Sequence, residues 1–158
     1  MLPASEIARL REKTIRLSTW NSRFILIFAI LGAFIALPFD PVSGILIGIF
    51  GVVAGLVEIR GLSFLKVADR RAVLWMPASQ VWLLLVIVGS CVWQAYQPGL
   101  GGIDLPIITA VIEPEVLHWL NSLFCVLVAL VSLFYQGGLA WLYYRRCDLL
   151  TAPWRQAD

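Results

Sequence analysis

Residues 116–144, VLHWLNSLFCVLVALVSLFYQGGLAWLYY, decide the fold of this chain. The stretch runs for 29 residues without an Asp, Glu, Lys or Arg, and a helix needs only ~20 apolar residues to cross a lipid bilayer. Small and polar residues recur in it at alternating steps of four and three, which places them on one helical face. We call this face the span-four seam, and it consists of His118, Ser122, Cys125, Ala129, Ser132 and Gln136. The pattern predicts a membrane helix that turns apolar faces to lipid and the seam to other helices.

The composition of the whole chain indicates an integral membrane protein. Of its 158 residues, 60% are apolar and 14% are charged, whereas soluble domains are typically about 45–50% apolar and 25% charged. The length allows about four spans with short connections, so we predict a single membrane domain over residues 1–158. Nucleic-acid binding is not supported, because the basic residues are spread over the flanks of the spans instead of forming a patch.

The predicted fold is an all-α bundle of four transmembrane helices, preceded by an amphipathic interfacial helix. That first helix covers residues 4–18, where apolar residues form one stripe and charged residues lie opposite. Proline residues at 38 and 41 break the chain after the first span and predict a tight return. The four spans are predicted at about 18–37, 42–59, 78–97 and 116–144, from the lengths of the apolar stretches.

The positive charges predict the orientation of these spans. Five Lys and Arg residues lie before the first span or near its start, four lie between the second and third, three follow the fourth, and the two other connections have none. Because Lys and Arg stay on the cytoplasmic side, both termini are predicted to be cytoplasmic. Trp141, Tyr143, Tyr144 and Trp154 are predicted to form an aromatic belt on that side. The compact connections favour a bacterial inner membrane.

The second span carries the clearest packing signal. Gly44, Gly48, Gly51 and Gly55 follow one another at steps of four, three and four, and we call them the glycine seam. Glycine lets two backbones approach closely in lipid, where packing replaces the hydrophobic effect as the force that joins helices. The first span, which has small residues of its own, is the predicted partner. A contact between copies of the chain and a glycine-lined pore are the competing interpretations.

A group of polar residues is predicted at the cytoplasmic ends of the spans. Glu58, Gln80, Tyr135 and Gln136 fall at comparable depth there. Ionisable residues inside a membrane are costly and are often functional. Because Glu58 lies close to the predicted boundary, Arg60 or headgroup water is expected to satisfy its charge. We therefore predict a polar clamp between helix ends in preference to a transport site.

A transport path is the alternative use of the polar residues. It would be lined by Ser122, Ser132 and Gln136 of the span-four seam and gated near Glu58. Hydrogen bonds between helices explain the same residues equally well.

A metal site is a weaker hypothesis. Glu115 and His118 are three residues apart at a predicted helix start, so both side chains share one face. His118 is the only histidine, and Asp40 or Asp104 would have to complete the ligand set. A solvated, acidic helix start explains the pair more simply. We therefore predict no metal, and the absence of GxxxxGK[ST], CxxC and HExxH motifs leads us to predict no cofactor and no catalytic residue.

The three cysteines do not form the paired framework of a disulfide-rich domain. Cys91 and Cys125 fall at similar depth in two spans, so a bridge between them is conceivable, but free cysteine usually packs as a small buried residue. Cys147 is predicted on the reducing, cytoplasmic side.

The abundance of packing seams and the scarcity of reactive groups favour one function over two others. We predict a structural or accessory subunit that acts through helix contacts, as a homo-oligomer or as part of a larger membrane complex. A small oligomeric channel or carrier is the second hypothesis, and a membrane-embedded enzyme is the third.

Overall fold

The computed structural model describes residues 3–36, 41–96 and 113–151, which form four α-helices. They are α1 (Ala4–Ala36), α2 (Pro41–Lys66), α3 (Ala72–Tyr96) and α4 (Pro114–Thr151). No strand occurs within the described ranges. Each of the four helices is long and apolar enough to cross a membrane. The prediction of an all-helical fold with four such helices is confirmed.

The helices are longer than the predicted spans. Residues 4–18, predicted as a separate helix, are the first part of an unbroken α1. At about 1.5 Å per residue, the 33 residues of α1 and the 38 residues of α4 exceed the ~30 Å thickness of the hydrocarbon layer. Apolar patterning identifies only the stretch of a helix that is apolar enough to cross a bilayer. Beyond it, packing against neighbouring helices keeps the backbone helical.

The helices pack in chain order. α1 packs along α2, α2 along α3 and α3 along α4, whereas α1 and α4 contact each other sparsely. The four helices meet in a hydrophobic cluster near the N-terminus of α1 and the C-terminus of α4, with buried residues from α2, α3 and α4. These buried residues are Leu65, Ala72, Met76, Tyr143, Cys147 and Leu150. Apolar side chains from the first part of α1, including Ile7 and Leu10, pack against them.

The glycine seam of α2 lies against α1. A Cβ added to Gly48 would lie 2.6 Å from the Cβ of Ala33, and one added to Gly51 would lie 2.6 Å from the Cβ of Ala29. Both distances are far below van der Waals contact. A Cβ added to Gly55 would lie 2.8 Å from Cδ2 of Leu26, a side-chain end that can move, and Gly44 is buried. At Gly48 and Gly51 the two helices approach so closely that a side chain would force a shift.

The C-terminus of α2 is closed by contacts that also anchor the first part of α1. Arg11 of α1 donates from Nη2 to the carbonyl oxygens of Leu65 and Lys66, at 2.9 and 2.7 Å. These carbonyls have no partner within the helix, and an arginine bonded to them also complements the negative end of the helix dipole. Ala68 follows in the left-handed region, with φ of 56°, as in the turn that commonly ends a helix.

Candidate functional site

Glu58 lies at the centre of a polar cluster that joins all four helices. Its side chain extends from α2 and is fully buried. From α1, the Ser18 hydroxyl and the Asn21 Nδ2 donate hydrogen bonds to it at 3.1 and 2.8 Å. Gln80 of α3 donates from Nε2 at 2.8 Å, and Tyr143 of α4 donates from its hydroxyl at 2.8 Å. We call these five residues the Glu58 cluster.

The donors of the Glu58 cluster fit an ionised carboxylate. Oε1 accepts from Ser18 and Tyr143, while Oε2 accepts from Asn21 and Gln80. An ionised carboxylate has about four acceptor positions and no proton to donate, so the four bonds match its capacity. All four donors are neutral, and within the described ranges no Lys or Arg pairs with Glu58. Neutral dipoles therefore supply all four hydrogen bonds that an ionised Glu58 accepts, and no counter-ion for it lies in those ranges.

This arrangement corrects the expectation that Arg60 or headgroup water satisfies Glu58. Arg60 is exposed, and its guanidinium lies over the ring of Phe64, 5.1 Å from the centroid. Glu58 points into the bundle because of its helical phase: it follows the last residue of the glycine seam, Gly55, by a further step of three. Depth in the membrane was therefore a poor guide, whereas continuation of the seam would have indicated burial against α1.

Ser18 and Asn21 were not identified from the sequence as site residues. They lie on the buried face of α1, which continues through Thr14, Ile25 and Ala29. Steps of four and three connect these positions, so the face could have been read from spacing. The charged residues around Ser18 instead favoured the interpretation of that segment as an interfacial helix.

Tyr143 lies elsewhere than predicted. It is fully buried within the bundle, whereas Trp141 and Tyr144, predicted to share its aromatic belt, are exposed. Trp154, the fourth predicted member of that belt, lies outside the residues that the structure describes. Tyr143 lies seven residues after Gln136 and therefore on nearly the same side of α4. It belongs to the inner face of the helix, and its hydroxyl finds the partner that a buried tyrosine needs.

Of the four residues of the predicted polar clamp, three are joined by hydrogen bonds, directly or through Asn21. Glu58 and Gln80 bond directly. Tyr135 reaches the same cluster through Asn21, because its hydroxyl lies 3.5 Å from Asn21 Oδ1. Gln136 is buried, with 7% of its surface exposed, and its Oε1 has no hydrogen-bond partner among the described residues.

Next to the Glu58 cluster, the four helices enclose a cavity of about 720 Å³. Asn21, Tyr135 and Gln136 lie on its lining and form a polar end. Most of the remaining lining is apolar. Phe28 of α1 and Phe124 of α4 line the cavity and are also largely exposed, so the cavity opens between these two sparsely contacting helices.

A second polar group lies on the cavity lining. The Cys125 thiol donates to Gln94 Oε1 at 3.7 Å, and Asn121 Nδ2 donates to the carbonyl oxygen of Gln94 at 3.3 Å. Cys91 lines the same cavity, and both thiols are free. Asn121 was missed by the sequence pattern, which favoured its neighbour Ser122.

The span-four seam is only partly buried. Cys125 and Gln136 are buried and line the cavity. The three half-buried members, Ser122, Ala129 and Ser132, do not line it, and His118 is exposed. Near the start of α4 the buried face is shifted by one position, to Leu117 and Asn121.

The candidate metal ligands Glu115 and His118 are both exposed near the start of α4. In residues 3–36, 41–96 and 113–151, no three His, Cys, Asp or Glu side chains form a group suited to a metal ion. Asp40 and Asp104, named above as further ligands, lie outside the described residues.

Comparison of the chain with protein-family models, with curated proteins and with solved structures finds no match.

Proposed function

We propose that this chain is an integral membrane protein that binds a small amphipathic molecule inside its bundle and acts as a carrier for it. The observation that supports this function is the cavity of about 720 Å³, whose lining is apolar except for a few polar side chains. Ligand sites in proteins typically have volumes of ~300–1,000 Å³ and this combination of surfaces. The geometry therefore reverses the order of hypotheses that the sequence favours.

The polar end of the cavity supplies a reason for a ligand to bind. A buried acceptor without a partner costs about 1–3 kcal/mol, and Gln136 Oε1 is such an acceptor. Oε1 itself has almost no exposed surface, so the Gln136 amide would have to rotate toward the cavity for a ligand to donate a hydrogen bond to it and recover part of this free energy. The apolar lining would at the same time cover the hydrophobic part of the ligand.

The opening of the cavity supports entry from the membrane. Phe28 and Phe124 flank the opening and are exposed on the apolar exterior of the helices. In a protein whose four helices span the bilayer, this opening faces lipid, where amphipathic molecules concentrate.

We also propose an orientation for the chain in the membrane and the membrane in which it lies. The Lys and Arg distribution supports cytoplasmic termini, in a bacterial inner membrane. In the first part of α1, Arg9, Glu12, Lys13 and Arg16 are exposed, which suits a helix segment among lipid headgroups.

Calorimetric titration of 4-phenylbutanol into the protein in zwitterionic nanodiscs, with empty nanodiscs as the reference, tests the binding function. We expect saturable binding that Gln136→Leu weakens about tenfold, because one buried hydrogen bond is lost. Ser132→Leu is the matched control: it makes the same kind of change one turn away, outside the cavity lining. A path along the span-four seam predicts instead that both variants weaken binding. Equal affinities for wild type and Gln136→Leu would contradict the proposed site.

The accessory-subunit hypothesis is the second candidate, and the sparse contact between α1 and α4 favours it. A transmembrane helix of another chain, or of a second copy, would fill the same opening. Photo-crosslinkers placed at Phe28 and Phe124 would then capture one defined partner, whereas a crosslinker at the exposed Ile49 of α2 would not. Labelling by lipid alone at Phe28 and Phe124 would count against this candidate.

A further inference from the structure

We propose that the ligand of the cavity is cationic: an amphipathic amine whose ammonium group binds at Asn21, Tyr135 and Gln136. This inference depends on the proposed function, because it assumes that the cavity binds a ligand. It adds the chemical class of that ligand.

The first argument is the charge of Glu58. Its carboxylate has no counter-ion in the described ranges, and Asn21 connects it to the cavity. Asn21 donates to Glu58 Oε2 at 2.8 Å and also lines the cavity. A single side chain therefore separates the negative charge from the polar end. Charge interactions are only weakly screened in a low-dielectric interior, so the carboxylate attracts a cation to that end and repels an anion from it.

The second argument is the lining itself. Among the described residues that line the cavity there is no Asp, Glu, Lys or Arg. No positive side chain therefore offsets the field of Glu58, and no residue there offers an anionic ligand an ion pair. The mostly apolar lining also disfavours a hydrated inorganic cation, which would lose its water without enough oxygen ligands to replace it.

The third argument is the hydrogen-bonding character of the polar end. Gln136 lines the cavity, and its Oε1 is an acceptor with no partner that rotation of the buried amide would turn toward a ligand. The hydroxyl oxygen of Tyr135 is a second acceptor at this end. An ammonium group has three donors and no acceptor, so it complements these oxygens, whereas a carboxylate ligand would add further acceptors.

Aromatic rings complete the match. Phe24, one turn from Asn21, and Tyr135, next to Gln136, both line the cavity. The faces of such rings attract ammonium groups. Phe28 and Phe124, near the opening, extend the apolar surface on which the hydrophobic part of the amine would pack.

Three ligands with one carbon skeleton test the inference: 4-phenylbutylamine, 4-phenylbutanol and 4-phenylbutyrate. Each is titrated at pH 7 into the wild-type protein in zwitterionic nanodiscs, and partition into empty nanodiscs is subtracted. The amine should bind about tenfold tighter than the alcohol, and the butyrate should bind most weakly. If the alcohol binds as tightly as the amine, the inference is overturned and the proposed function stands. If none of the three binds, the proposed function itself is overturned.

A charge variant locates the source of the preference. Glu58→Gln removes the charge with little change of shape, and the affinity ratio of amine to alcohol should fall from about ten to about one. An unchanged ratio in a folded variant would show that Glu58 is not the source. If the variant does not fold, as judged by its melting profile, Gln136→Glu replaces it. That variant adds a carboxylate at the polar end, so the ratio should rise, and a ratio that does not rise overturns the inference.

Discussion

The two halves of the bundle are held together in different ways. In the half that contains Glu58, all four helices meet, through the hydrophobic cluster and the hydrogen bonds of the Glu58 cluster. In the half that contains the cavity, α1 still packs on α2 and α3 on α4, but α1 and α4 stand apart. Packing and interhelical hydrogen bonds are the forces expected to join helices of this kind. The hydrogen bonds of the Glu58 cluster therefore add to packing in the half where all four helices meet.

Removal of Glu58 should produce the largest effect on stability, because it removes the hydrogen bonds that join the four helices in the half that contains the Glu58 cluster. Glu58→Ala leaves buried donors of three helices without an acceptor, and each costs about 1–3 kcal/mol. We expect the free energy of unfolding in detergent micelles to fall by roughly 3–5 kcal/mol. Glu115→Ala, which removes an exposed carboxylate at the start of α4, is the control and should change it by only a few tenths of a kcal/mol. Similar losses in the two variants would refute the central role of the Glu58 cluster.

An intermediate effect on stability is expected where α1 meets α2. It would show that, in the half that contains the cavity, these two helices remain closely packed while α1 and α4 stand apart. In Gly48→Leu the new side chain would collide with Ala33, and overpacking of this kind costs about 1–3 kcal/mol. Gly32→Leu is the control, since a Cβ at Gly32 meets nothing within 4 Å. Thermal unfolding followed by circular dichroism compares the two. Equal melting temperatures would contradict the close α1–α2 contact.

The smallest effect on stability is expected inside the cavity. Val128 lines it, so Val128→Phe adds a ring to empty space and should change the free energy of unfolding by less than ~1 kcal/mol. It should nevertheless weaken binding of 4-phenylbutylamine, because the ring takes up part of the apolar space in which the phenylbutyl chain would pack. Leu127→Phe places the same ring on the exposed, outer side of α4 and should leave binding intact. Equal affinities for the two variants would place the ligand away from this part of the lining.

Local patterns in the sequence predict the helices well and the Glu58 cluster poorly. The apolar length of residues 116–144 and the spacing of Gly48 and Gly51 are properties of single helices, which the chain displays directly. The cluster depends on which helices become neighbours and on how each is rotated about its axis. Glu58 and Tyr143 were both assigned by depth, as boundary residues, whereas rotation places both in the interior.

The cavity was even less accessible to prediction from sequence. A run of apolar residues looks the same whether it packs against a helix or faces empty space. Gln136 was identified because its polarity is unusual in an apolar span. Its unpaired oxygen depends on which groups the neighbouring helices place beside it, and no pattern within one helix encodes that.

The distribution of donors around Glu58 also bears on assembly during synthesis. A chain made from its N-terminus produces α1 and α2 first, and at that stage Ser18 and Asn21 supply two of the four hydrogen bonds. Gln80 arrives with α3, and Tyr143 arrives only with the last helix. The carboxylate therefore has all four of its hydrogen bonds only once α4 has been made and packed against the other helices. A truncated or stalled chain retains an under-bonded charge in its interior, and this defect distinguishes it from the finished protein.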